Sequence, residues 1–150
     1  MLETWVLGEL KTLLYNLKTA AVAGRETTGN ASKAGYDAPV GIRPFTMYLQ
    51  PGELSEEELL AQVGNGVYIT SLGGLHAGAN PVSGDFSLQS VGFMIEGGQK
   101  TTAVKSFTVA GNFYDLLKNI TALASNLELP GMGAFGSPSV RVDGPSIAGK

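Results

Sequence analysis

The chain has 150 residues, 43% of them hydrophobic, which is enough for one domain with a sizeable core and argues against intrinsic disorder. Its formal net charge of −3 excludes the strongly basic surface that is typical of nucleic-acid-binding proteins. The lack of cysteine excludes disulfides, thiolate metal ligands and cysteine nucleophiles.

The first predicted elements are an extended segment that ends near Tyr15 and a short helix capped by Asn16. The helix is expected to run to Ala23 and to stop at Gly24, because Asn is a favoured N-cap and Gly a favoured helix stop. Residues 25–44 have no periodicity and are interrupted by glycine and proline, which is typical of a long loop. Alternation over residues 44–49 then predicts a strand.

Ser55 and Glu58 form the pattern of a capping box, which predicts a helix that ends near Gly64. Residues 67–72 are the next predicted strand. Two long extended runs, 84–95 and 101–110, are joined by Glu96-Gly97-Gly98-Gln99, which predicts a hairpin. The apolar residues of the first run change from even to odd positions, so we expect either a bulge near Ser90 or burial of both faces.

Asn112 is expected to cap another helix, which would carry apolar residues at helical spacing. Those residues are Leu116, Leu117, Ile120, Leu123 and Ala124. After Pro130 the chain is rich in glycine, and alternating Val140 and Val142 predict the last strand. The whole pattern indicates a single α+β domain, 1–150, dominated by antiparallel β-sheet of barrel or sandwich type with two or three packed helices.

The sequence matches to nucleotide-binding motifs lack the structural context that these motifs require, and the possible metal ligands are too few. Residues 131–136 match the dinucleotide pattern but lack the preceding strand and following helix. Residues 144–150 match most of a phosphate-binding loop but lack the magnesium-binding Ser/Thr after the lysine and the helix that should follow it. His76 is the only histidine, so Asp85 and Glu96 cannot complete a zinc site with it. We therefore predict no catalytic residue and no metal ligand in this chain, and interpret His76 as a residue of a partly exposed turn.

Several stretches, in order along nearly the whole chain, resemble the C-terminal region of the PmbA/TldD family. They are Leu13-Leu14-Tyr15-Asn16-Leu17-Lys18-Thr19-Ala20, Thr27-Thr28-Gly29-Asn30, Tyr48-Leu49-Gln50-Pro51-Gly52, Gly66-Val67-Tyr68-Ile69, Ser83-Gly84-Asp85-Phe86-Ser87, Glu96-Gly97-Gly98 and residues 136–143. Members of the family are named as modulators of DNA gyrase and as metallopeptidases.

The resemblance implies that a zinc-binding His-Glu-x-x-x-His helix lies upstream of Met1, so that this sequence looks like a C-terminal fragment. A cysteine near the C-terminus of TldD-type subunits has no counterpart around Met132 to Gly136. In lacking this cysteine the chain resembles the PmbA/TldE-like branch. Members of that branch lack the metal site and pair with a TldD-type subunit to mature and degrade peptides. This resemblance implies a non-catalytic chain without a cofactor of its own, with zinc in the partner subunit.

The resemblance also implies residues that line the peptide cavity or the subunit interface. They are Thr28, Gly29, Asn30, Gly73, Gly74, His76, Ser83, Gly84 and Asp85. Glycine lets a peptide backbone approach closely, and Asn offers both a donor and an acceptor; the alternative is that these residues only form turns. The expected partners are a TldD-type subunit or a second copy and peptide substrates, in the cytoplasm, without nucleic acid or membrane. Two alternatives stay open: a fragment of a zinc-bearing TldD-like enzyme, or a stand-alone peptide-binding regulator.

Overall fold

The computed structural model describes residues 5–6, 9–129 and 135–149. They divide into two compact units. The first contains the described residues up to Tyr48 together with 135–136, and the second contains 49–129 and 137–149. Residues 131–134 of the sequence match to the dinucleotide pattern lie outside the described residues.

In chain order the described residues form twelve strands and four helical segments. They are β1 (Trp5–Val6), β2 (Glu9–Leu10), α1 (Leu17–Ala23), β3 (Ala31–Ser32), β4 (Gly41–Ile42), β5 (Met47–Tyr48), α2 (Glu56–Val63), β6 (Gly66–Gly73), α3 (Leu75–Gly78), β7 (Asp85–Glu96), β8 (Gln99–Asn112), α4 (Phe113–Lys118), β9 (Ile120–Leu123), β10 (Phe135–Gly136), β11 (Val140–Val142) and β12 (Ser146–Ala148).

The first unit is built around helix α1 and three short strand pairs. β1 pairs with β2 and β3 with β4, both antiparallel, and β5 pairs with β10 in parallel. The strand predicted over residues 44–49 is therefore limited to β5, and the predicted loop over 25–44 contains β3 and β4. Two-residue strands are too short to produce the alternation that the sequence prediction depends on.

Helix α1 begins and ends where the sequence predicts. The Asn16 side chain accepts from the Thr19 N–H at 2.9 Å, and the Thr19 hydroxyl accepts from the Asn16 N–H at 3.1 Å. Gly24 follows the helix with a φ of 62°, a left-handed conformation in which glycine carries no steric penalty.

The second unit is built on an open antiparallel sheet with the strand order β12-β8-β7-β6. Leu88, Phe107 and Val109 are buried on it, and helix α2 buries Leu59 and Leu60. The α+β class and the predominance of antiparallel strands are confirmed. The described strands form no closed barrel, however, and four helical segments replace the two or three that were predicted.

The predicted β7–β8 hairpin and its bulge are confirmed. Its turn residues Gly97 and Gly98 have φ angles of 58° and 80°, as a two-residue hairpin turn requires. Ser90 pairs with Phe107 but Val91 pairs with Lys105, so that the extra residue of the bulge is Ser106 of β8 rather than a residue of β7.

The long helix predicted after Asn112 is wrong in its second half. Helix α4 ends at Lys118, and Ile120–Leu123 form strand β9, which pairs antiparallel with β11. β-Branched Ile120 and Thr121 suit a strand that has a partner, and no local signal reveals that partner. Val140 and Val142 lie in β11 as predicted, but β12 follows and pairs with β8, so β11 is not the last strand.

Candidate functional site

Six of the nine predicted site residues lie in the connection between β6 and β7. Gly73 ends β6, and Gly74 has a φ of 78° and precedes the four-residue helix α3. His76 lies on α3 and is exposed, so it belongs to a helical turn rather than to a loop. Because β6 and β7 pair antiparallel, with Gly73 opposite Gln89, the whole connection leaves and re-enters the sheet at one end.

Ser83, Gly84 and Asp85 return the chain to the sheet, and Asn112 holds them. The Asn112 Nδ2 donates to the Ser83 carbonyl and to Asp85 Oδ1, each at 2.9 Å. The hydrogen bond from Asn112 holds the pKa of Asp85 below its ordinary value, and Ser83 contributes in the same direction. Gly84 has a φ of 82°, and a Cβ there would come 2.7 Å from the Tyr114 ring, so this position requires glycine.

Asn112 itself is the residue that sequence reasoning missed at this site. Its Oδ1 accepts from the Tyr114 N–H at 3.0 Å and caps helix α4, as predicted. The same side chain also binds the β6–β7 connection, which is 27 residues away in sequence. The cap pattern was visible in the sequence, but the second role depends on the pairing of β7 with β8.

Thr28, Gly29 and Asn30 lie in the first unit, where they hold the segment before α1. The Thr28 hydroxyl accepts from the Tyr15 N–H at 2.7 Å, and the Asn30 N–H donates to the Tyr15 carbonyl at 3.3 Å. Asn30 is buried and its Nδ2 donates to the Arg43 carbonyl at 3.2 Å. Gly29 has a φ of 74°. The positive φ of Gly29 is consistent with the turn interpretation for that residue, and the Asn30 side chain uses one of its two N–H donors within the chain.

A cleft of about 520 Å³ adjoins Thr28 within the first unit. It is lined by Lys11, Thr12, Leu13, Tyr15, Arg25, Glu26, Thr27 and Thr28. The hydroxyls of Thr27 and Thr28 both donate to the Tyr15 carbonyl, at 3.2 and 3.1 Å, so they shape the wall of the cleft.

A second cleft, of about 340 Å³, lies in the second unit beside Asn112. It is lined by Phe86, Gly111, Asn112, Asp115, Leu116, Lys118, Asn119, Gly144 and Pro145. Asn112 therefore contacts the predicted Ser83–Asp85 group on one side and lines this cleft on the other.

A polar cluster around Glu56, which sequence reasoning also missed, joins four parts of the second unit. Tyr68 Oη and Ser139 Oγ donate to Glu56 Oε1 at 2.6 and 3.0 Å, and Lys100 Nζ lies 3.2 Å from Oε2. Tyr68 lowers the pKa of Glu56 most, partial burial opposes this, and Ser139 and Lys100 lower it further. Partial burial alone would lower the pKa of Lys100, but its hydrogen bond to Glu56 and the neighbouring Tyr68 oxygen raise it.

The residues that the structure describes do not group into a zinc site. Zinc in proteins is held by three or four His, Cys or carboxylate ligands. The sequence contains one histidine and no cysteine, and no group of three such side chains occurs within residues 5–6, 9–129 and 135–149. In the same ranges no helix is long and apolar enough to cross a membrane.

The protein-family model described as the PmbA/TldA metallopeptidase C-terminal domain matches residues 6–149 of this chain. A metalloprotease of Methanothermobacter thermautotrophicus is 32% identical over 154 aligned residues, which cover 95% of this chain and 33% of that protein. The crystal structure of TldE from Thermococcus kodakarensis is similar with a TM-score of 0.81 at 26% identity, over 95% of this chain and 32% of that one.

A Thermotoga maritima protein whose crystal structure is named for modulation of a DNA gyrase is 43% identical, with a TM-score of 0.79, over 94% of this chain and 31% of that one. This chain thus spans about a third of the length of these relatives. The family-model match, the similarity in fold and the shared order of motifs lead to one conclusion: the chain belongs to the PmbA/TldD family of metallopeptidases and corresponds to its C-terminal domain.

Proposed function

We propose that this chain is the non-catalytic C-terminal domain of a PmbA/TldE-like subunit in a zinc metalloprotease complex that matures and degrades peptides. In this role it shapes the peptide cavity and contributes to the interface with a TldD-type subunit, in the cytoplasm. The observation that carries the proposal is the set of metal donors: a single, exposed histidine on a four-residue helix, with no cysteine in the sequence.

The β6–β7 connection supports the cavity role. Its exposed glycines, Gly73 and Gly74, leave the backbone accessible, and Ser83 and Asp85 are held in a fixed position by Asn112. A preorganised backbone with few bulky side chains is what an extended peptide needs for close approach. Low overall charge is consistent with a surface that contacts protein, since 15% of residues are charged against roughly 25% in average soluble domains.

The test uses the full chain, purified alone and mixed with a TldD-type subunit. Alone, we expect neither stoichiometric zinc, measured by elemental analysis, nor cleavage of unstructured peptides. With the partner, we expect co-elution in size exclusion and peptide cleavage that a zinc chelator abolishes. One equivalent of zinc bound to the chain alone, or peptide cleavage by the chain alone, would overturn the non-catalytic role. A chain that stays monomeric in the presence of the TldD-type subunit would favour a stand-alone regulator.

A further inference from the structure

The cleft between helix α4 and residues 144–145 has the size of a single-residue pocket. Its volume is about 340 Å³, at the lower end of the roughly 300–1,000 Å³ typical of ligand pockets. It lies entirely within the second unit. None of the residues that line it was among the predicted site residues.

Three apolar residues form part of the lining of the cleft. They are Phe86, Leu116 and Pro145, and each is half-buried, so that part of its surface remains accessible. Gly111 stands next to Phe86, and a Cβ at this position would lie 3.2 Å from the Phe86 Cζ. The glycine therefore leaves the ring accessible to an occupant, and an aromatic ring favours edge-to-face contact with another ring.

The rim carries a carboxamide that is free to bind. The Asn119 N–H donates to the Asp115 carbonyl at 3.0 Å, and the Asn119 carbonyl accepts from the Asp143 N–H at 3.1 Å, so the backbone of Asn119 is fixed. Its exposed side chain has no hydrogen-bond partner in the part of the chain that the structure describes. A carboxamide has donors and an acceptor, which is the complement of a peptide bond.

The charges at the rim cancel. Lys118 Nζ lies 3.3 Å from Asp115 Oδ1, and both side chains are exposed. The two opposite charges leave the cleft without net charge, and an occupant that carries a charge would lose hydration without gaining a dedicated counter-ion. An uncharged occupant with an apolar group and an amide matches all of these features.

We propose that this cleft binds one uncharged aromatic side chain of a peptide, with the Asn119 carboxamide hydrogen-bonded to an adjacent peptide bond. The assignment rests on the proposed peptide-handling function and names the residue class that the domain selects. Phe86 and Leu116 supply the contact area, Gly111 supplies the space, and Asn119 fixes the orientation of the peptide backbone.

The probe is N-acetyl-phenylalaninamide, titrated into the isotopically labelled full chain and followed by amide NMR. A ligand of this size that binds specifically reaches a dissociation constant on the order of 1 mM. We expect saturable shifts at Gly111, Asn119 and Gly144, and at least roughly tenfold weaker binding of N-acetyl-alaninamide and N-acetyl-lysinamide. Equal affinity for the three probes, or shifts confined to other regions, would overturn the proposal.

Two variants locate the site. Gly111→Ala places a methyl group against Phe86, and Asn119→Ala removes the free carboxamide; each should weaken binding roughly tenfold. Gly35→Ala, in the first unit where a Cβ has only Asp37 Oδ1 at 3.6 Å, is the matched control and should bind as the original chain does. Since Asn119 is exposed, its variant keeps the test valid even if Gly111→Ala fails to fold.

Unchanged binding by Asn119→Ala and by folded Gly111→Ala would contradict the proposal. So would a concentration-dependent self-association that disappears in Asn119→Ala, because a second copy would then be the occupant. The test of the cleft is independent of the test of the proposed function, because probe binding is measured without a TldD-type subunit. If the chain binds the probe but does not pair with that subunit, the result would count against the proposed function alone.

Discussion

The Tyr68 hydroxyl donates a 2.6 Å hydrogen bond to Glu56 Oε1 and so joins strand β6 to the first turn of helix α2. Lys100 of β8 closes the arrangement, with its Nζ 3.6 Å from the centre of the Tyr68 ring and 3.2 Å from Glu56 Oε2. Ser139 adds a second donor to the same carboxylate and is itself held by Asn126 through two hydrogen bonds of 3.0 Å. One carboxylate thus connects the helix, the sheet and the segment that leads into β11.

Tyr68→Phe should lower the free energy of unfolding by about 1–2 kcal/mol, because it removes a hydrogen bond to a charged acceptor. The phenyl ring preserves the cation–π contact with Lys100, so the change isolates the hydroxyl. Chemical denaturation at neutral pH measures the difference. Tyr36→Phe is the control, since Tyr36 is 99% exposed and should show no effect; an equal loss in both variants would contradict the role of the Glu56 bond.

The contribution of Glu56 should also depend on pH. Because its pKa is lowered on folding, chiefly by Tyr68, its stabilisation is fully present above the unfolded value near 4.5 and is lost as pH falls through the folded value. The stability difference between the original chain and Tyr68→Phe should therefore shrink between about pH 7 and about pH 3. Denaturation curves at the two pH values test this, and a difference that stays constant would show that the bond does not depend on the ionised carboxylate.

Asn16→Ala should destabilise the first unit by about 2 kcal/mol, at the upper end of N-cap effects. Asn16 is only 5% exposed, caps α1 through Thr19, and its Nδ2 donates to the Gly41 carbonyl at 3.3 Å. Asn16→Ser retains a capping hydroxyl but loses the bond to Gly41, so it should fall between the original and the alanine variant. Circular dichroism during denaturation measures both, and identical losses would show that capping contributes nothing.

Ser106→Gly should stabilise the protein by about 0.5–1 kcal/mol. Ser106 has a φ of 64° at the bulge of β8, a conformation that costs a non-glycine residue roughly 1 kcal/mol. Ser87→Gly on the neighbouring strand β7 is the matched control and should destabilise, because glycine in an ordinary strand loses more chain entropy on folding. Thermal denaturation measures whether each variant is more or less stable than the original chain. A loss of stability in Ser106→Gly would show that the contacts of the side chain outweigh the backbone strain.

Asn112→Ala should release the β6–β7 connection and helix α4 together. We expect faster amide exchange at Ser83 and Tyr114 and a rise in the pKa of Asp85 towards its ordinary value, because the strongest hydrogen bond to that carboxylate is lost. Carboxyl NMR titration measures the pKa. Lys118→Gln removes an exposed ion pair elsewhere on α4 and should leave the pKa of Asp85 unchanged.

The chemistry of neighbouring residues was sufficient to predict the helix caps and the hairpin turn. Asn16 and Ser55 each bind an amide three residues ahead, and Gly97-Gly98 supply the positive φ angles of a two-residue turn, so these features follow from neighbouring residues alone. The change of phase of the apolar positions in β7 predicts a bulge near Ser90, but local chemistry does not show that the extra residue, Ser106, lies on the partner strand β8. The resemblance in motif order led to the family for a similar reason, since it depends only on the order of residues along the chain.

Contacts between distant residues could be found only in the folded molecule. Ile120 and Leu123 have helical spacing, yet pairing with Val140–Val142 makes them a strand, because tertiary partners outweigh a weak local preference. Glu56 and Ser139 are 83 positions apart, and no local pattern marks them as partners. The sequence by itself determined the caps, the turn and the family; the tertiary structure decided where β9 and β12 pair, which carboxylate joins the elements and where the clefts open, because each of these depends on surfaces that meet only after the sheet has formed.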